Sequence, residues 1–391
     1  MQSDPIVIAS AVRTPMGGFQ GALSSHAARD LGAAAIRAAV ERAGVAPHEV
    51  DEVIMGNVLP AGQGQAPARQ ASLAAGLPDA TGCTTINKVC GSGMKAAMLA
   101  ADMIALGTNR IMVAGGMESM SNAPYLLPKA RGGFRLGHGE VKDHLFLDGL
   151  EDAYDPGRLM GTYAEDTAAK YGYTRESQDR YAIQSLTRAL DAIRSGRFRR
   201  EIVTVHAGGA AVEDDEQPLK ANRERIPHLK PAFRNDGTVT AANSSSISDG
   251  GAAMVLMRLS EAARRGLRPL ARIAGHATHS QAPAWFTTAP AGAIRKLLAK
   301  TGWDARDVGL FEINEAFAVV AMAAIDDLGL APERVNVNGG ACALGHPLGA
   351  SGARIMVTLL HALEHHGLER GVAALCIGGG EATAIALERM S

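Results

Sequence analysis

Hydrophobic and polar positions along the chain follow two alternating patterns. Segments such as 35–43 place apolar residues at helical spacing and stop at Gly44, and a polar turn then leads into an apolar strand. Short continuous apolar runs such as 111–114 and 373–377 are typical of strands that are covered on both faces. Helices that alternate with such strands predict an α/β fold.

This arrangement occurs twice along the chain. Residues 35–57 and 293–315 align without a gap, and each segment reads as a helix, a glycine stop, a polar turn and a strand. A second pair, 92–119 and 351–382, begins with Ser-Gly, continues as a helix that is apolar nearly all round, and ends in a strand that runs into glycines. Such helices are buried. The shared order predicts two similar halves, and chance likeness of alanine-rich helices is the alternative.

The segment between these matching pieces has a different pattern. It contains an acidic run at 213–216, a proline-rich stretch at 226–233 and a polar helix around 174–196. Long loops in compact enzymes are usually functional, so we interpret this segment as an insertion. The expected units are an N-terminal core half at 1–118 plus 249–270, an inserted loop domain at 119–248, and a C-terminal core half at 271–391.

Length and charge narrow the classes of function. The chain has 391 residues, of which 47% are hydrophobic, and this is enough for more than one packed unit. A formal net charge of −1 argues against a nucleic-acid partner. No apolar run reaches the roughly 18 to 20 residues of a membrane span, and the first residues lack the layout of a signal peptide. We therefore expect a cytoplasmic protein with no membrane partner.

The four cysteines are Cys83, Cys90, Cys342 and Cys376, and no pair has the C-x-x-C spacing of a zinc or redox site. A long chain without a secretion signal favours free thiols over disulfides. The simplest role for each thiol is that of a small buried hydrophobe. A chemical role therefore needs support from the residues around each cysteine.

Cys90 has such support, because it lies in 87-NKVCGSGMKAA-97, directly before Gly-Ser-Gly and a run of helix formers. A helix start is expected to lower the pKa of a thiol and to offer free N–H groups to an oxyanion. A nucleophilic thiol needs a base, and His346 in 345-GHPLG-349 lies in the corresponding place of the second half. An ordinary loop histidine is the alternative for His346. Cys376 precedes glycines that let a backbone N–H approach a substrate oxygen, and a buried strand cysteine is the alternative there.

These motifs resemble the thiolase family, and they follow the family's order from one end of the chain to the other. The resemblance implies a five-layered αβαβα fold of two similar halves with an inserted loop domain. It also implies reversible Claisen condensation of two acetyl-CoA to acetoacetyl-CoA and CoA through an acyl-cysteine, with no metal or other cofactor. The motifs are 87-NKVCGSG-93, 115-GGMESMS-121, 238-TVTAANSSSISDGGAA-253, 312-EINEAFA-318, 336-NVNGGACALGHPLGASGAR-354 and 375-LCIGGGEAT-383.

The resemblance assigns a role to each candidate catalytic residue. Cys90 resembles the nucleophile that becomes acylated, and His346 resembles the base that activates it. Cys376 resembles the base that removes the α-proton of the second acetyl group. Asn314 resembles the residue that holds a water, which forms with His346 the hole for the thioester oxygen of the nucleophilic acetyl-CoA. The N–H groups of Cys90 and Gly378 resemble a second hole over the acyl-enzyme.

The resemblance also suggests contacts with the substrates CoA and acyl-CoA. Arg225 lies where the insertion meets the nucleotide end and is a candidate for a phosphate contact, with an ordinary surface arginine as the alternative. Leu159 and Ser246 depart from residues that are usual in the family. The candidates along the pantetheine are Ser245, Phe233, Leu150, Met160, Ala316 and Phe317. Met160, Trp285 and Phe286 are expected to shape or shorten the acyl pocket.

The sequence leaves several alternatives open. Within the family, the alternative is a broader 3-ketoacyl-CoA thiolase of fatty-acid or aromatic degradation. Two further alternatives do not catalyse acyl transfer to CoA. They are a non-catalytic CoA-binding member of the family and a cysteine hydrolase. The loop 131–146 resembles the region that joins two dimers in bacterial thiolases, and its alternation near Phe134, Leu136 and Val141 predicts a short hairpin. We expect a homotetramer, with a dimer as the alternative.

Overall fold

The computed structural model describes residues 4–390 and contains a ten-stranded sheet together with two short two-stranded sheets. The strands are β1 Ile6–Arg13, β2 Gly17–Gly18, β3 Glu52–Gly56, β4 Gly82–Ile86, β5 Ile111–Ser119, β6 Tyr125–Leu126, β7 Lys142–Asp143, β8 Val205–Ala207, β9 Ala210–Val212, β10 Ser248–Arg258, β11 Ala271–Ser280, β12 Leu310–Ile313, β13 Arg370–Ile377 and β14 Glu381–Arg389.

The helices cover the sheet on both faces, and short 3₁₀ turns connect several of the elements. None of the helices within residues 4–390 combines the length and the apolarity that crossing a membrane requires. The α-helices are α1 Ala28–Ala43, α2 Pro67–Ala74, α3 Ser92–Ala105, α4 Met160–Tyr171, α5 Arg175–Arg194, α6 Glu216–Lys220, α7 Leu259–Arg264, α8 Ala289–Thr301, α9 Ala318–Leu328, α10 Ala341–Leu344 and α11 Leu348–His366.

The large sheet consists of two halves with the same strand order. One half runs β4-β3-β5-β10-β1, and the other runs β12-β13-β14-β11 with a parallel bridge from Phe311 to Val335 in the position that corresponds to β4. In both halves the first pairings are parallel and the later ones antiparallel. Within the sheet of residues 4–390, the two halves pair where β1 meets β11, at Val7–Arg272 and Ile8–Ala271. The predicted duplication is therefore confirmed.

The layers follow from which helices pack on which face. Helices α3 and α11 contact each other and strands of both halves, and their apolar side chains form one central core. Helices α1 and α2 cover the outer face of the first half. Helices α8 and α9 cover the outer face of the second. This gives the five-layered α/β arrangement that the sequence predicted.

Glycines allow the two central helices to approach each other closely near their first turns. A Cβ added to Gly93 in α3 would lie 2.8 Å from the backbone nitrogen of Ala353. A Cβ added to Gly352 in α11 would lie 2.4 Å from the backbone nitrogen of Met94. Gly93 and Gly352 occupy equivalent places in the repeat, so the approximate two-fold axis brings the segments before both helices together.

The segment between β5 and β10 contains α4, α5, α6 and the two short hairpins. The predicted polar helix is confirmed as α5, which begins after Thr174, whose hydroxyl accepts the N–H of Ser177 at 3.2 Å. The predicted hairpin near Phe134 and Leu136 was misplaced. Its strands are β6 and β7, and those side chains lie in the exposed loop between them because only the ends of the loop pair. The boundaries proposed for the three units remain a prediction.

Candidate active site

Cys90 lies just before α3, and residues from the second half surround it. The backbone N–H of Gly378 donates to its sulfur, and Cys376 is near enough for the charge of one thiolate to raise the pKa of the other. A Cβ added to Gly91 would lie 2.4 Å from Ile377, so the start of α3 and the end of β13 are in direct contact. The structure therefore brings Cys90, Cys376 and Gly378 together.

The expected low pKa of Cys90 is wrong. Burial raises the pKa of this thiol to about 11, and the charge of Glu118 adds to the rise. The N–H groups of Gly378 and of Cys90 itself act in the opposite direction but are the smaller influence. Since the thiol is neutral at physiological pH, it needs a base to become a nucleophile.

His346, the candidate for this base, carries a neutral imidazole. Its side chain is buried, and burial together with the charge of Arg354 lowers its pKa to about 3, so the imidazole is neutral. The Ser351 hydroxyl donates to the carbonyl of Pro347 at 2.8 Å and therefore accepts from Nδ1 of His346 at 2.5 Å. This arrangement puts the ring hydrogen on Nδ1 and leaves Nε2 free to accept a proton.

Asn314 lies directly after β12, beside His346. Its backbone N–H donates to the carbonyl of Ala374 at 3.0 Å, which fixes it next to β13, the strand that carries Cys376. The amide nitrogen lies 3.5 Å from each ring nitrogen of His346, a contact rather than a strong hydrogen bond. The amide oxygen accepts from Nη2 of Arg354 at 3.3 Å.

Glu118 is a buried carboxylate that our sequence analysis did not single out for a role in the site. It accepts from the N–H of Val58 at 2.9 Å, of Leu59 at 3.1 Å and of Gly349 at 2.8 Å. These bonds tie the segment after His346 to the first half of the molecule. Burial raises the pKa of Glu118 to about 7. The sequence did carry a signal for this residue, because Glu118 is a carboxylate at the end of the apolar run of β5. A carboxylate that is buried at such a place needs hydrogen-bond partners.

A largely apolar cavity of about 440 Å³ opens beside this group of residues. A Cβ on Gly378 would lie 3.6 Å from the sulfur of Met160, so the inner end of the cavity reaches the thiol region. Ala316 adjoins the cavity, because its carbonyl accepts the N–H of Ser245 at 2.9 Å. The lining includes the predicted Leu150, Met160, Phe233, Ser245 and Phe317, together with Leu159 and Ser246.

Arg225 lies in a neighbouring cavity of about 360 Å³, which shares Ala241 and Ser246 with the apolar one. Lys220 lines the same space, and the Arg225 side chain is exposed. The two cavities form a continuous surface that is apolar near the thiols and basic at the outer end.

The two aromatic residues expected in the acyl pocket point in different directions. Phe286 is buried in the same apolar cluster as Met160 and Cys376. Trp285 instead packs with its ring 4.2 Å from the ammonium of Lys170 on α4. The structure therefore brings Phe286 to the thiol region, whereas the described contact of Trp285 lies away from it.

Within residues 4–390, no group of three or more His, Cys, Asp or Glu side chains is arranged to hold a metal ion. All four cysteines are free thiols, and the backbone N–H of Cys342 donates to Glu315 at 3.1 Å. The chemistry available in the site is therefore that of two thiols, a neutral imidazole, an amide and backbone N–H groups.

Comparison with known proteins gives a consistent result. Residues 6–260 match the model "Thiolase, N-terminal domain" and residues 267–389 match "Thiolase, C-terminal domain". The chain is 51% identical over 392 residues to a probable acetyl-CoA acetyltransferase of Dictyostelium discoideum, covering 99% of this chain and 94% of the relative. It is 50% identical over 394 residues to the cytosolic acetyl-CoA acetyltransferase of Mus musculus, covering 99% of both. A thiolase from Ascaris suum, solved in complex with coenzyme A, aligns with a TM-score of 0.94 and 46% identity over 99% of this chain and 100% of that one.

Proposed function

The chain belongs to the thiolase family, and on that premise we propose that it acts as an acetyl-CoA acetyltransferase. It condenses two acetyl-CoA to acetoacetyl-CoA and CoA, and it catalyses thiolysis in reverse. The observation that carries the proposal is the meeting of Cys90, Cys376 and the N–H of Gly378 beside one apolar cavity. CoA and acyl-CoA are substrates, and no resident cofactor takes part.

In the first half-reaction, Nε2 of His346 takes the proton of Cys90 as the sulfur attacks the acetyl carbonyl of acetyl-CoA. The bond from the carbonyl carbon to the CoA sulfur breaks, and CoA leaves with the proton that His346 holds. The neutral imidazole has a lone pair for this proton, but its lowered pKa makes it a weak base, so the proton moves only as the sulfur attacks and returns readily to the leaving CoA. The N–H groups of Cys90 and Gly378 stabilise the oxyanion of the tetrahedral intermediate.

In the second half-reaction, Cys376 removes an α-proton from a second acetyl-CoA. For this step the neutral imidazole carries its hydrogen on Nε2 and the Ser351 hydroxyl donates to Nδ1. The Nε2–H of His346 and a water held by Asn314 then stabilise the enolate oxygen. The enolate carbon attacks the acyl-cysteine carbonyl, and the bond to the Cys90 sulfur breaks to release acetoacetyl-CoA. The Cys90 sulfur takes up the proton that Cys376 removed, which restores the Cys90 thiol and the Cys376 thiolate. The raised pKa of Cys376 makes its thiolate a strong base once it forms, as removal of a weakly acidic α-proton requires.

The pocket walls support a short acyl group. Phe286 packs edge-on against Tyr163, with ring centroids 6.3 Å apart, and both are buried next to Met160 and Cys376. Rigid aromatic packing at this place leaves little room to extend the acyl chain. A broader 3-ketoacyl-CoA thiolase is the second candidate, and it requires these rings to move apart.

Thiolysis of acetoacetyl-CoA and of 3-ketooctanoyl-CoA, compared by kcat/KM, tests the proposal. We expect acetoacetyl-CoA to be preferred by about a hundredfold or more, because a closed pocket excludes the longer chain. Equal or better activity on the longer substrate would support the second candidate. Release of free acetoacetate or acetate instead of acyl-CoA would indicate a hydrolase.

Cys90→Ser provides the matched chemical test. We expect it to lower turnover by about four orders of magnitude, since loss of a nucleophile removes the covalent route. Cys83→Ser is the control, because Cys83 lies on β4 with its sulfur near the carbonyl of Thr81. A binding protein without catalytic activity would show no turnover in the unmodified chain.

We further propose a cytoplasmic homotetramer, with a dimer as the alternative. The cytosolic mouse relative supports the location. Within residues 4–390, strand β4 ends its half of the sheet and pairs with β3 on one side, which leaves an open edge for a second copy of the chain. The exposed apolar side chains in the loop between β6 and β7 offer a second contact surface.

A further inference from the structure

A buried guanidinium lies behind the candidate active site. Arg354 in α11 is fully buried, and its Nη2 donates to the amide oxygen of Asn314 at 3.3 Å. Its Nη1 lies 4.0 Å from a carboxylate oxygen of Glu312, which is also buried. Within the described chain, Nε and Nη1 of Arg354 and one oxygen of Glu312 have no hydrogen-bond partner.

Stability alone is a poor explanation for this arrangement. Burying a cation costs several kcal/mol of hydration, on the order of what a well-made ion pair returns, and a pair with unused donors returns less. An apolar side chain of similar volume would fill the space at lower cost. The one close contact that Arg354 makes with the site residues is the one with Asn314.

We propose that Arg354 is a positioning residue that sets the orientation of the Asn314 amide. The two ends of an amide have the same shape but opposite hydrogen-bonding character, so sterics alone cannot choose between them. With the oxygen toward Arg354, the nitrogen faces His346. The opposite orientation would place the NH₂ group against the guanidinium, with donor facing donor.

This orientation matters for the reaction, and in this respect the inference rests on the proposed function. Negative charge develops on the thioester oxygen as the enolate forms, and Asn314 acts on it through the bound water. When the amide N–H donates to that water, the hydrogen bond from the water to the oxygen is strengthened. A reversed amide would instead accept from the water, and that strengthening would be lost. Arg354 therefore acts on the reaction through Asn314, without touching the reacting atoms.

A double-mutant cycle tests this assignment. The double variant Glu312→Gln with Arg354→Met removes the donor together with the ionisable carboxyl group that faces it, and Glu312→Gln alone is its control. We expect kcat for acetoacetyl-CoA synthesis to fall about a hundredfold in the double variant, as for loss of one oxyanion donor, with KM for acetyl-CoA within about threefold. The control is expected to stay within about threefold.

Repeating the measurement in an Asn314→Ala background separates positioning from general damage. If Arg354 acts through Asn314, adding the Arg354 change to Asn314→Ala lowers kcat no further. If the fold losses in kcat from the Asn314 change and the Arg354 change multiplied, the assignment would be overturned. Full activity of the Glu312→Gln, Arg354→Met variant would also overturn it. If the unmodified protein made no acetoacetyl-CoA at all, the proposed function would fail instead, so the two failures are distinguishable.

Arg354→Lys keeps the test decisive if the neutral pair does not fold. Lysine retains the positive charge near Glu312 but lacks the planar fork that reaches Asn314. We expect about a tenfold or larger fall in kcat for the folded variant, with the same lack of further loss in the Asn314→Ala background. A folded Arg354→Lys variant with unchanged kcat would contradict the assignment.

Discussion

The Cys90 thiol and the His346 imidazole are both held in their neutral forms by burial. A helix start contributes about 0.3 to 1 kcal/mol to a nearby negative charge, whereas full burial shifts a pKa by up to about 3 to 5 units, or several kcal/mol. Desolvation therefore decides the state of Cys90. Proton transfer to His346 then takes place at the moment of attack, because no stable thiolate is stored beforehand.

Alkylation of Cys90 by iodoacetamide should reveal this neutral thiol. We expect the rate in the free enzyme to rise about tenfold per pH unit from pH 7 to pH 10, because the thiolate fraction keeps increasing below the pKa. Peptide mapping by mass spectrometry identifies the modified cysteine, and the Cys376→Ser variant serves as the control. A rate that levels off near pH 8 would indicate a low pKa and contradict the burial argument.

At the scale of elements, the crossing of α3 and α11 determines where the two halves place their chemistry. Gly93 and Gly352 let the helices touch through their backbones, so the residues before each helix converge on one point. The repeat-related glycines Gly44 and Gly302 end α1 and α8 in the left-handed conformation, with φ of 64° and 70°. Small residues therefore control both the ends of the helices and their separation.

The variant Gly352→Ala tests whether the close crossing of α3 and α11 matters for stability and turnover. Alanine would gain about 1 kcal/mol of helix propensity, but its Cβ would lie 2.4 Å from the backbone nitrogen of Met94, a neighbour that cannot move aside alone. We expect a net loss of stability of about 1 to 3 kcal/mol and reduced turnover as the helices separate. Urea unfolding and thiolysis assays measure the two effects.

The matched control is Gly132→Ala, because nothing lies within 4 Å of a Cβ at Gly132. This control is expected to change stability by less than about 0.5 kcal/mol. Equal stability of the two variants would show that the close approach of α3 and α11 is dispensable.

At the scale of the whole molecule, buried carboxylates make stability depend on pH. Burial raises the pKa of Glu312 from its ordinary 4.5 to about 8. Between these values the folded chain holds a proton that the unfolded chain has lost, so this contribution is complete below pH 4.5 and disappears as pH rises through 8. Stability from this source therefore decreases with rising pH.

Glu312→Gln should remove that decrease, because an amide does not titrate. We expect the difference between the melting temperatures at pH 5 and pH 8 to be smaller in the variant than in the unmodified protein. Glu333→Gln is the control, since Glu333 is exposed. Equal differences in all three proteins would show that Glu312 titrates normally.

Assembly is also a property of the whole molecule. Leu136 is 97% exposed and Phe134 is 39% exposed in the loop between β6 and β7. If this loop joins two dimers, changing both residues to serine should yield dimers that keep their activity per subunit. Sedimentation velocity measures the assembly, and Leu106→Ser is the control, because Leu106 is exposed at the end of α3. A tetramer that persists in the double variant would exclude this loop as the contact.

Local patterns in the sequence were sufficient to predict the repeated halves, the α/β class, the start of α3 and helix α5. These features depend on residues a few positions apart, such as an apolar period followed by a glycine stop, so they can be read before the chain folds. The motif around Cys90 is local in the same way. The predicted hairpin was misplaced, because the register of a hairpin depends on which residues at the two ends of a long loop pair with each other.

Only the tertiary structure decided the features that depend on distant partners. Burial among residues that are distant in sequence makes Cys90 a neutral thiol, and Arg354 meets Asn314 across 40 positions of sequence. Trp285 packs against Lys170 of α4, a partner that is 115 positions away in sequence. Desolvation and charge act through space and not along the chain. The sequence by itself therefore determined which chemical groups this protein carries, and the packing of its two halves decided their protonation states and orientations.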